Sequence, residues 1–130
     1  MKLPLLCAAL VAGLSILALA AEKSSEPKSS KLRHVVSFKF KDGTTKQQIK
    51  EVEDAFRSLK KSIPEIAEFE WGTNNSPEGR NKGCTHGFIL TFKSEKDRDT
   101  YLPHPAHKEF GKLVGPLLDD VFVIDFWAKD

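Results

Sequence analysis

The residues of this chain best suited to proton-transfer chemistry are four histidines and a single tyrosine. They are His34, His86, Tyr101, His104 and His107. An imidazole titrates near neutral pH and can remove a proton from an acidic carbon or hydroxyl, and a phenol can donate a proton or stabilise an enolate. These residue types favour acid–base chemistry, and such chemistry needs no cofactor.

The spacing of the histidines indicates that two lie on strands and two on a helix. His34 and His86 share the parity of the apolar residues around them, so both should face the layer between the sheet and the helices. His104 and His107 are three residues apart at the start of a predicted helix, so they can lie near one face. Buried imidazoles cost free energy unless each finds a hydrogen-bond partner, so we expect some of them to pair or to line a polar pocket.

The elements that position these residues follow from hydrophobic periodicity. Alternation of polar and apolar residues predicts strands over residues 33–41, 68–74 and 84–93. Between the first two, apolar residues at spacings of three and four predict an amphipathic helix that ends before Pro64. Thr44 and Gln47 fit a capping box at the start of this helix.

In the last third of the chain, the sequence pattern predicts two short helices followed by a strand. The first helix runs to about Tyr101, and the second begins at Pro105, which is suited to a first helical turn. This second helix is expected to carry three residues inward, namely Phe110, Leu113 and Val114. Asp119 and Asp120 are expected in a solvated turn, followed by a strand over Val121–Trp127 that is apolar on both parities and therefore expected to be covered on both sides.

The order strand, helix, strand, strand, helix, strand predicts an α+β domain with a ferredoxin-like βαββαβ fold. Its sheet has four antiparallel strands and carries both helices on one face, so the other face is left bare. A second copy of the chain is the simplest cover for that face and for the doubly apolar last strand. The sequence therefore predicts a homodimer.

The N-terminal segment has the composition of a signal peptide. Lys2 precedes an apolar run, and Ala18-Leu19-Ala20 fits a cleavage site, so we expect residues 1–20 to be removed after Ala20 and the protein to be exported to the periplasm or outside the cell. An uncleaved anchor is the alternative, although a run of about sixteen residues is short for a bilayer. Residues 21–31 are polar and predict a flexible linker before a domain at 32–130.

The charge balance of the mature chain argues against two classes of partner. Loss of residues 1–20 removes one of the 20 basic residues and none of the 18 acidic ones, so the remainder is close to neutral. Its charges are interspersed, which gives no electrostatic reason to expect nucleic acid or a membrane as a partner. Cleavage also removes Cys7 and leaves Cys84 alone, so no internal disulfide can form.

Four segments of the chain follow one another in a pattern shared with a known family. They are His34-Val-Val-Ser-Phe-Lys-Phe, Phe69-Glu-Trp-Gly, Gly83-Cys-Thr-His-Gly-Phe and Tyr101-Leu-Pro-His-Pro-Ala-His, with Val123-Ile-Asp-Phe closing the series. Together they resemble the stress-responsive dimeric α/β-barrel (Dabb) family. The resemblance implies a homodimer whose two sheets stack face to face into a barrel. It implies no single activity, because many members have no assigned reaction, plant members are linked to stress, and a few are polyketide cyclases.

The resemblance to the cyclase members also implies roles for individual residues. His107 is the expected base and Tyr101 its partner, in a pocket between the sheet and the helices. The expected binding residues of this pocket are His34, His86, His104, Phe38, Phe88 and Phe110. We expect no metal, because the His104–His107 pair straddles a proline and no acidic residue has ligand-like spacing to it.

Three functions remain open on the sequence. The first is an exported protein that binds a small, partly apolar molecule and has a stress-related role. The second is a cofactor-independent enzyme, similar to a polyketide cyclase or an isomerase, that acts on a small carbonyl compound through His107 and Tyr101. The third is a structural homodimer in which the histidines serve packing alone.

Overall fold

The computed structural model describes residues 30–129, which form an antiparallel sheet with helices on one face. In chain order the elements are β1 (Leu32–Phe40), α1 (Lys46–Ser62), β2 (Glu68–Thr73), β3 (His86–Phe92), α2 (Glu95–Tyr101), α3 (Pro105–Val114), a 3-10 turn (Gly115–Leu117) and β4 (Leu118–Trp127). The predicted signal peptide and the linker up to residue 29 lie outside the described residues. Within residues 30–129, no helix is long and apolar enough to span a membrane.

The strand order β2-β3-β1-β4 confirms the ferredoxin-like fold, with every neighbouring pair antiparallel. Burial alternates along β1, where Leu32, His34, Val36 and Phe38 are buried on the helix side. The alternation follows from the period of two in a strand, since one face meets the helices and the other remains open. The prediction that His34 and His86 face inward is confirmed, because each is only 6% exposed.

An aromatic cluster fills the middle of the layer between the sheet and the helices. The Phe56 ring of α1 lies 4.5 Å, centroid to centroid, from both Phe88 of β3 and Phe110 of α3. Phe38 of β1 lies 5.0 Å from Phe88 and 5.8 Å from Phe56. Close contacts between large rings bury much apolar area and leave little space between the elements.

The capping box of α1 lies one residue later than predicted. Thr45, not Thr44, is the N-cap: its hydroxyl accepts from the Gln48 backbone N–H, and the Gln48 side chain accepts from the Thr45 backbone N–H. Thr44 is part of the preceding turn, where its backbone N–H and hydroxyl both donate to the Lys41 carbonyl. The predicted box at Thr44 and Gln47 is therefore wrong, because the turn already uses Thr44.

Two expectations for the last third of the chain are also wrong. Leu113 is 40% exposed, whereas Phe110 and Val114 on the same helix are buried, because α3 contacts the core along a narrower stripe than predicted. Asp119 and Asp120 lie within β4 instead of in a turn before it. Asp119 forms an ion pair with Lys39, with Nζ 2.7 Å from Oδ2.

Strand β4 lies at the edge of the sheet and exposes apolar side chains on both faces. Phe122, Ile124 and Phe126 are about half exposed on the open face, and Val121 and Val123 are similarly exposed on the helix side. Within a single chain this strand is therefore uncovered, as the expectation of cover by a second copy of the chain requires.

Candidate functional site

Tyr101, the last residue of α2, lies between two imidazoles. Its side chain is fully buried, and its ring centroid is 4.3 Å from that of His107 and 5.7 Å from that of His34. The Phe92 ring of β3 packs against another side of the Tyr101 ring, with 5.2 Å between the two ring centroids. The structure thus brings together the two predicted catalytic residues and one of the predicted binding histidines.

The orientation of His107 is fixed by a backbone carbonyl. His107 Nδ1 lies 2.8 Å from the carbonyl oxygen of Leu102, at the end of α2. A carbonyl can only accept, so Nδ1 carries the proton and donates. In the neutral ring Nε2 then holds the free lone pair, and this leaves it able to accept a proton.

His34 is oriented by a carboxylate from the opposite strand. Its Nδ1 lies 2.6 Å from Oδ1 of Asp125, which is its cross-strand neighbour on β4. The other carboxylate oxygen, Oδ2, accepts from Arg98 Nη1 of α2 at 3.1 Å. The carboxylate thus fixes the orientation of the His34 ring, and the guanidinium holds the carboxylate in place.

Burial keeps the Tyr101 phenol protonated. Removal of the side chain from water raises its pKa well above the ordinary value, and the negative charge of Asp125 raises that pKa further. Both causes disfavour the phenolate. Tyr101 is therefore suited to donating a hydrogen bond to a developing oxyanion, and not to acting as a base.

His86 lies apart from this cluster, at the far end of the sheet–helix layer. It pairs with Phe38 on β1, four residues beyond His34, which places the two histidines about 13 Å apart along the strand. Its Nε2 lies 2.9 Å from Glu53 Oε1 of α1, and its Nδ1 lies 2.7 Å from the Thr85 hydroxyl. Both ring nitrogens are engaged by the protein, as is usual for a buried polar side chain.

The remaining predicted binding residues have structural contacts of their own. His104 is the N-cap of α3, where its Nδ1 accepts from the backbone N–H of Ala106 at 3.1 Å. Phe38, Phe88 and Phe110 belong to the aromatic cluster around Phe56. The expected pocket between sheet and helices is thus occupied, in its middle, by the protein's own rings.

One cavity lies on the open face of the sheet. It measures about 790 Å³, and the predicted binding residues His86 and Phe88 contribute to its lining. A second cavity of about 260 Å³ is formed by Pro64, Glu65, Ala67, Lys93 and Asp97. Neither is lined by Tyr101 or His107.

Sequence reasoning missed the charged residues that hold the buried histidines. Asp125 is the one polar residue within Val121–Trp127 that shares the inward parity of Val121 and Val123. This parity could have indicated from the sequence that Asp125 faces the buried side of the sheet. Arg98 and Glu53 are visible only once the helices are docked on the sheet. Within the described part of the chain, no group of three or more His, Cys, Asp or Glu residues could hold a metal ion.

Comparison with proteins of known sequence shows the family. The model of the stress responsive A/B barrel domain matches residues 32–128. A stress-response A/B barrel domain-containing protein of Arabidopsis thaliana is 37% identical over 95 residues, covering 73% of this chain and 87% of the relative. The olivetolic acid cyclase of Cannabis sativa is 28% identical over 98 residues, covering 75% of this chain and 97% of the cyclase.

Solved structures show the same fold. The hydroxynitrile lyase of Passiflora edulis superposes with a TM-score of 0.74 at 28% identity, over 78% of this chain and 96% of the lyase. A Thermobifida fusca protein described as dimeric and ferredoxin-like superposes with a TM-score of 0.67 at 21% identity, over 82% of this chain and 99% of that one. With its fold, its motif segments and the match over nearly all of the described residues, this chain belongs to the stress responsive A/B barrel domain (Dabb) family.

Proposed function

We propose that this protein catalyses a cofactor-independent acid–base reaction on a small carbonyl compound at the cluster of Tyr101, His107 and His34. One observation carries the proposal. A buried phenol lies against two imidazoles whose Nδ1 atoms are both engaged by acceptors, the Leu102 carbonyl and the Asp125 carboxylate. Each neutral ring therefore keeps Nε2 as a proton acceptor beside a proton donor.

The environments of His107 and Tyr101 determine which of them acts as the base and which donates a hydrogen bond. His107 is half-buried, so its Nε2 can meet a substrate and remove a proton from the carbon next to the carbonyl. The negative charge then moves to the carbonyl oxygen, which the Tyr101 hydroxyl stabilises by donating a hydrogen bond. Return of the proton from His107 to a different atom completes an isomerisation. In an aldol cyclisation the enolate carbon instead attacks a second carbonyl, and the alkoxide oxygen that results takes the proton from His107.

His34 supports this chemistry from the opposite side of the phenol. Its contact with Asp125 fixes the orientation of the imidazole, and the ring lies 5.7 Å, centroid to centroid, from that of Tyr101. Because Arg98 binds the second oxygen of the same carboxylate, the pair is held in one geometry. We assign His34 a positioning role toward Tyr101.

Entry of a substrate requires the turn between α2 and α3 to open. Tyr101 is fully buried, whereas Leu102 next to it is 44% exposed and His107 is half-buried. Leu102 and His107 are therefore the more exposed residues next to the buried phenol. Short turns at helix ends are common sites of such local opening.

Two relatives support the class of reaction. One is named an olivetolic acid cyclase and the other a hydroxynitrile lyase, each 28% identical to this chain. Closure of a ring and cleavage of a hydroxynitrile are both reactions that acid–base groups can promote. The reaction class carries over to this proposal, and the substrates of those enzymes do not.

Exchange of carbon-bound protons with deuterium tests the proposal on simple ketones, whatever the full substrate is. Acetophenone, propiophenone and a long-chain methyl ketone are incubated with protein in deuterium oxide, and loss of the proton NMR signal next to the carbonyl is followed. Exchange above the buffer rate with wild type but not with His107→Gln supports the proposal. Saturable binding of a ketone without exchange would favour a protein that binds small molecules in a stress-related role and does not catalyse this reaction.

We also propose that the protein is a homodimer. The exposed apolar side chains Phe122, Ile124 and Phe126 of β4 lie on the open face of the sheet, and exposed apolar edge strands are normally covered. Structural neighbours are described as dimeric. Size-exclusion chromatography with light scattering on residues 22–130 tests this, and a monomer at micromolar concentration would contradict it.

Export remains a prediction from residues 1–20. It is supported by the basic start, the apolar run and the Ala18-Leu19-Ala20 site. Expression of the full chain in a bacterial host, followed by fractionation and N-terminal sequencing of the product, is the test. A mature protein beginning at Ala21 in the periplasm or medium is expected, and a full-length membrane-bound product would favour a retained anchor.

A further inference from the structure

We propose that Thr85 is an acyl-acceptor site, whose hydroxyl is activated by His86 and Glu53. We call these three residues the Thr85 triad. The triad is separate from the Tyr101 cluster, because His86 lies at the far end of the sheet–helix layer. Thr85 directly precedes the first residue of β3, is exposed to solvent and is not part of the lining of the cavity on the open face.

Hydrogen bonds connect the Thr85 triad in one direction. Glu53 Oε1 lies 2.9 Å from His86 Nε2, and the Thr85 hydroxyl lies 2.7 Å from Nδ1 of the same ring. A carboxylate can only accept, so Nε2 of the neutral ring carries the proton and donates to Glu53. Nδ1 then holds the lone pair and accepts from the Thr85 hydroxyl. The order hydroxyl, imidazole, carboxylate is that of an activated hydroxyl nucleophile.

Aromatic packing holds the imidazole of the triad in place. The Trp71 ring of β2 is stacked on the His86 ring, with the planes inclined by 4° and the centroids 6.1 Å apart, and Phe40 meets the ring edge-on at 5.3 Å. The His86 side chain is only 5% exposed and that of Glu53 is 21% exposed, whereas Thr85 is open to solvent. The base is therefore shielded, and the hydroxyl is the group of the triad best placed to meet a reagent from solvent.

The backbone of Thr85 is bonded to both neighbouring strands. Its N–H donates to the Phe38 carbonyl at 2.9 Å, and its carbonyl accepts from the Asn74 N–H at 2.8 Å. These bonds hold the hydroxyl at one position relative to the imidazole. Thr100 on α2 provides a contrast, because its exposed hydroxyl donates to the Lys96 carbonyl at 3.0 Å, and a carbonyl does not act as a base at neutral pH.

The triad can transfer an acyl group to Thr85 in one step of addition and one of elimination. The Thr85 oxygen forms a bond to the acyl carbon, and its proton passes to His86 Nδ1. The bond from the acyl carbon to the leaving atom then breaks, and the leaving atom keeps the electron pair and takes the proton from Nδ1. A threonine hydroxyl is a weak nucleophile even beside a base, so the donor class we expect is an aryl ester or a thioester.

Acetylation by para-nitrophenyl acetate tests the proposal. The protein is incubated with this ester, and peptide mass spectrometry follows the acetyl group at Thr85 and at Thr100 in the same sample. Thr85 is expected to react at least about 10²-fold faster than Thr100, which is the gain that a positioned general base supplies. His86→Gln should reduce the Thr85 rate to that of Thr100. Thr85→Ser should keep the reaction at position 85, and Thr85→Val should lose it.

Glu53 is a positioning residue in this site, and two variants test that role. Glu53→Gln keeps an acceptor for His86 Nε2 but removes the charge, whereas Glu53→Ala removes both. The rate at Thr85 should fall from wild type to the glutamine variant and further to the alanine variant, while the rate at Thr100 stays the same. His107→Gln should be acetylated normally at Thr85, so failure of the acid–base proposal would not affect this one.

Three results would overturn the proposal. The first is equal acetylation of Thr85 and Thr100 in wild type. The second is a Thr85 rate that survives in His86→Gln or in Glu53→Ala, whichever of the two melts like wild type in circular dichroism. The third is acetylation of Thr85 that occurs in Ile124→Lys, designed to be a monomer, but not in wild type, because this would show that a second copy of the chain covers Thr85.

Discussion

The Tyr101 phenol lies against the His107 imidazole with ring centroids 4.3 Å apart and their planes inclined by 37°. The two residues come from different helices, α2 and α3, and the turn between the helices holds His107 through the Leu102 carbonyl. This contact joins a buried proton donor to a half-buried proton acceptor. It is the relationship on which the proposed chemistry depends.

Replacement of Tyr101 by phenylalanine tests the role of the hydroxyl. The ring and its contacts with His34, His107 and Phe92 remain, so the protein should fold with little change in thermal midpoint. Loss of the hydrogen bond to the developing oxyanion is expected to lower the exchange rate by about 10²-fold. The exchange assay and circular dichroism melting check the two expectations, and unchanged exchange would remove Tyr101 from the mechanism.

The raised pKa of Tyr101 predicts a stability change in alkali. Because the folded protein keeps the phenol protonated while the unfolded chain loses this proton above a pH of about 10, the stabilising contribution is present below that pH and falls as pH rises further. The loss should approach about 1.4 kcal/mol per pH unit. Since this is the only tyrosine, the difference in urea unfolding between wild type and Tyr101→Phe isolates the effect. Parallel pH profiles for the two proteins would contradict it.

Asp125 is expected to stabilise the fold through His34. Asp125→Asn removes the carboxylate from a buried imidazole and from Arg98, so the free energy of unfolding should fall by about 1–3 kcal/mol. Asp119→Asn, on the same strand, is the matched control. Its ion pair with Lys39 is exposed, so its loss should lower the free energy of unfolding by much less than the loss of the Asp125 carboxylate. If urea titrations give equal losses in the free energy of unfolding for the two variants, the Asp125 contact contributes no more to stability than the exposed ion pair of Asp119.

The histidine partners illustrate what the sequence could and could not predict. Strand parity was sufficient to predict that His34 and His86 point inward, because the period of a strand is fixed at two. Their carboxylate partners, Asp125 and Glu53, depend on strand register and helix docking, which involve residues 91 and 33 positions away along the chain. No local pattern carries that information.

The sequence also did not predict that aromatic rings fill the middle of the layer between the sheet and the helices. Periodicity identified Phe38, Phe88 and Phe110 as inward-facing, but it did not reveal that Phe56 lies between them. Whether a set of inward rings lines a pocket or fills it depends on packing in three dimensions. The position of the capping box was ambiguous for a simpler reason, because Thr44 with Gln47 and Thr45 with Gln48 fit the same motif.

The N-cap of α1 provides a local test of that correction. Thr45→Ala removes the hydroxyl that accepts from the Gln48 N–H, so the free energy of unfolding should fall by about 0.5–2 kcal/mol. Thr45→Ser keeps the hydroxyl and serves as the control. A loss of the same size for the serine variant would show that the methyl group, and not the cap, accounts for the effect.

Charge placed on the open face of β4 should prevent self-association. Ile124 is 49% exposed in a single chain, and Ile124→Lys would place an ammonium in an apolar interface. Leu113→Lys is the matched control, since Leu113 is 40% exposed on α3, away from the open face. We expect light scattering to give a monomer mass for the first variant and a dimer mass for the second. Two dimers would place the interface elsewhere.

In the proposed reaction His107 removes a carbon-bound proton while Tyr101 stabilises the enolate that results. Deuterium exchange into acetophenone and its homologues, followed by proton NMR for wild type, His107→Gln and Tyr101→Phe, tests it most directly. We expect exchange above the buffer rate for wild type, none for the His107 variant and about 10²-fold slower exchange for the Tyr101 variant. Exchange by wild type that is equal to the buffer rate for every ketone, or exchange that survives loss of His107, would contradict it.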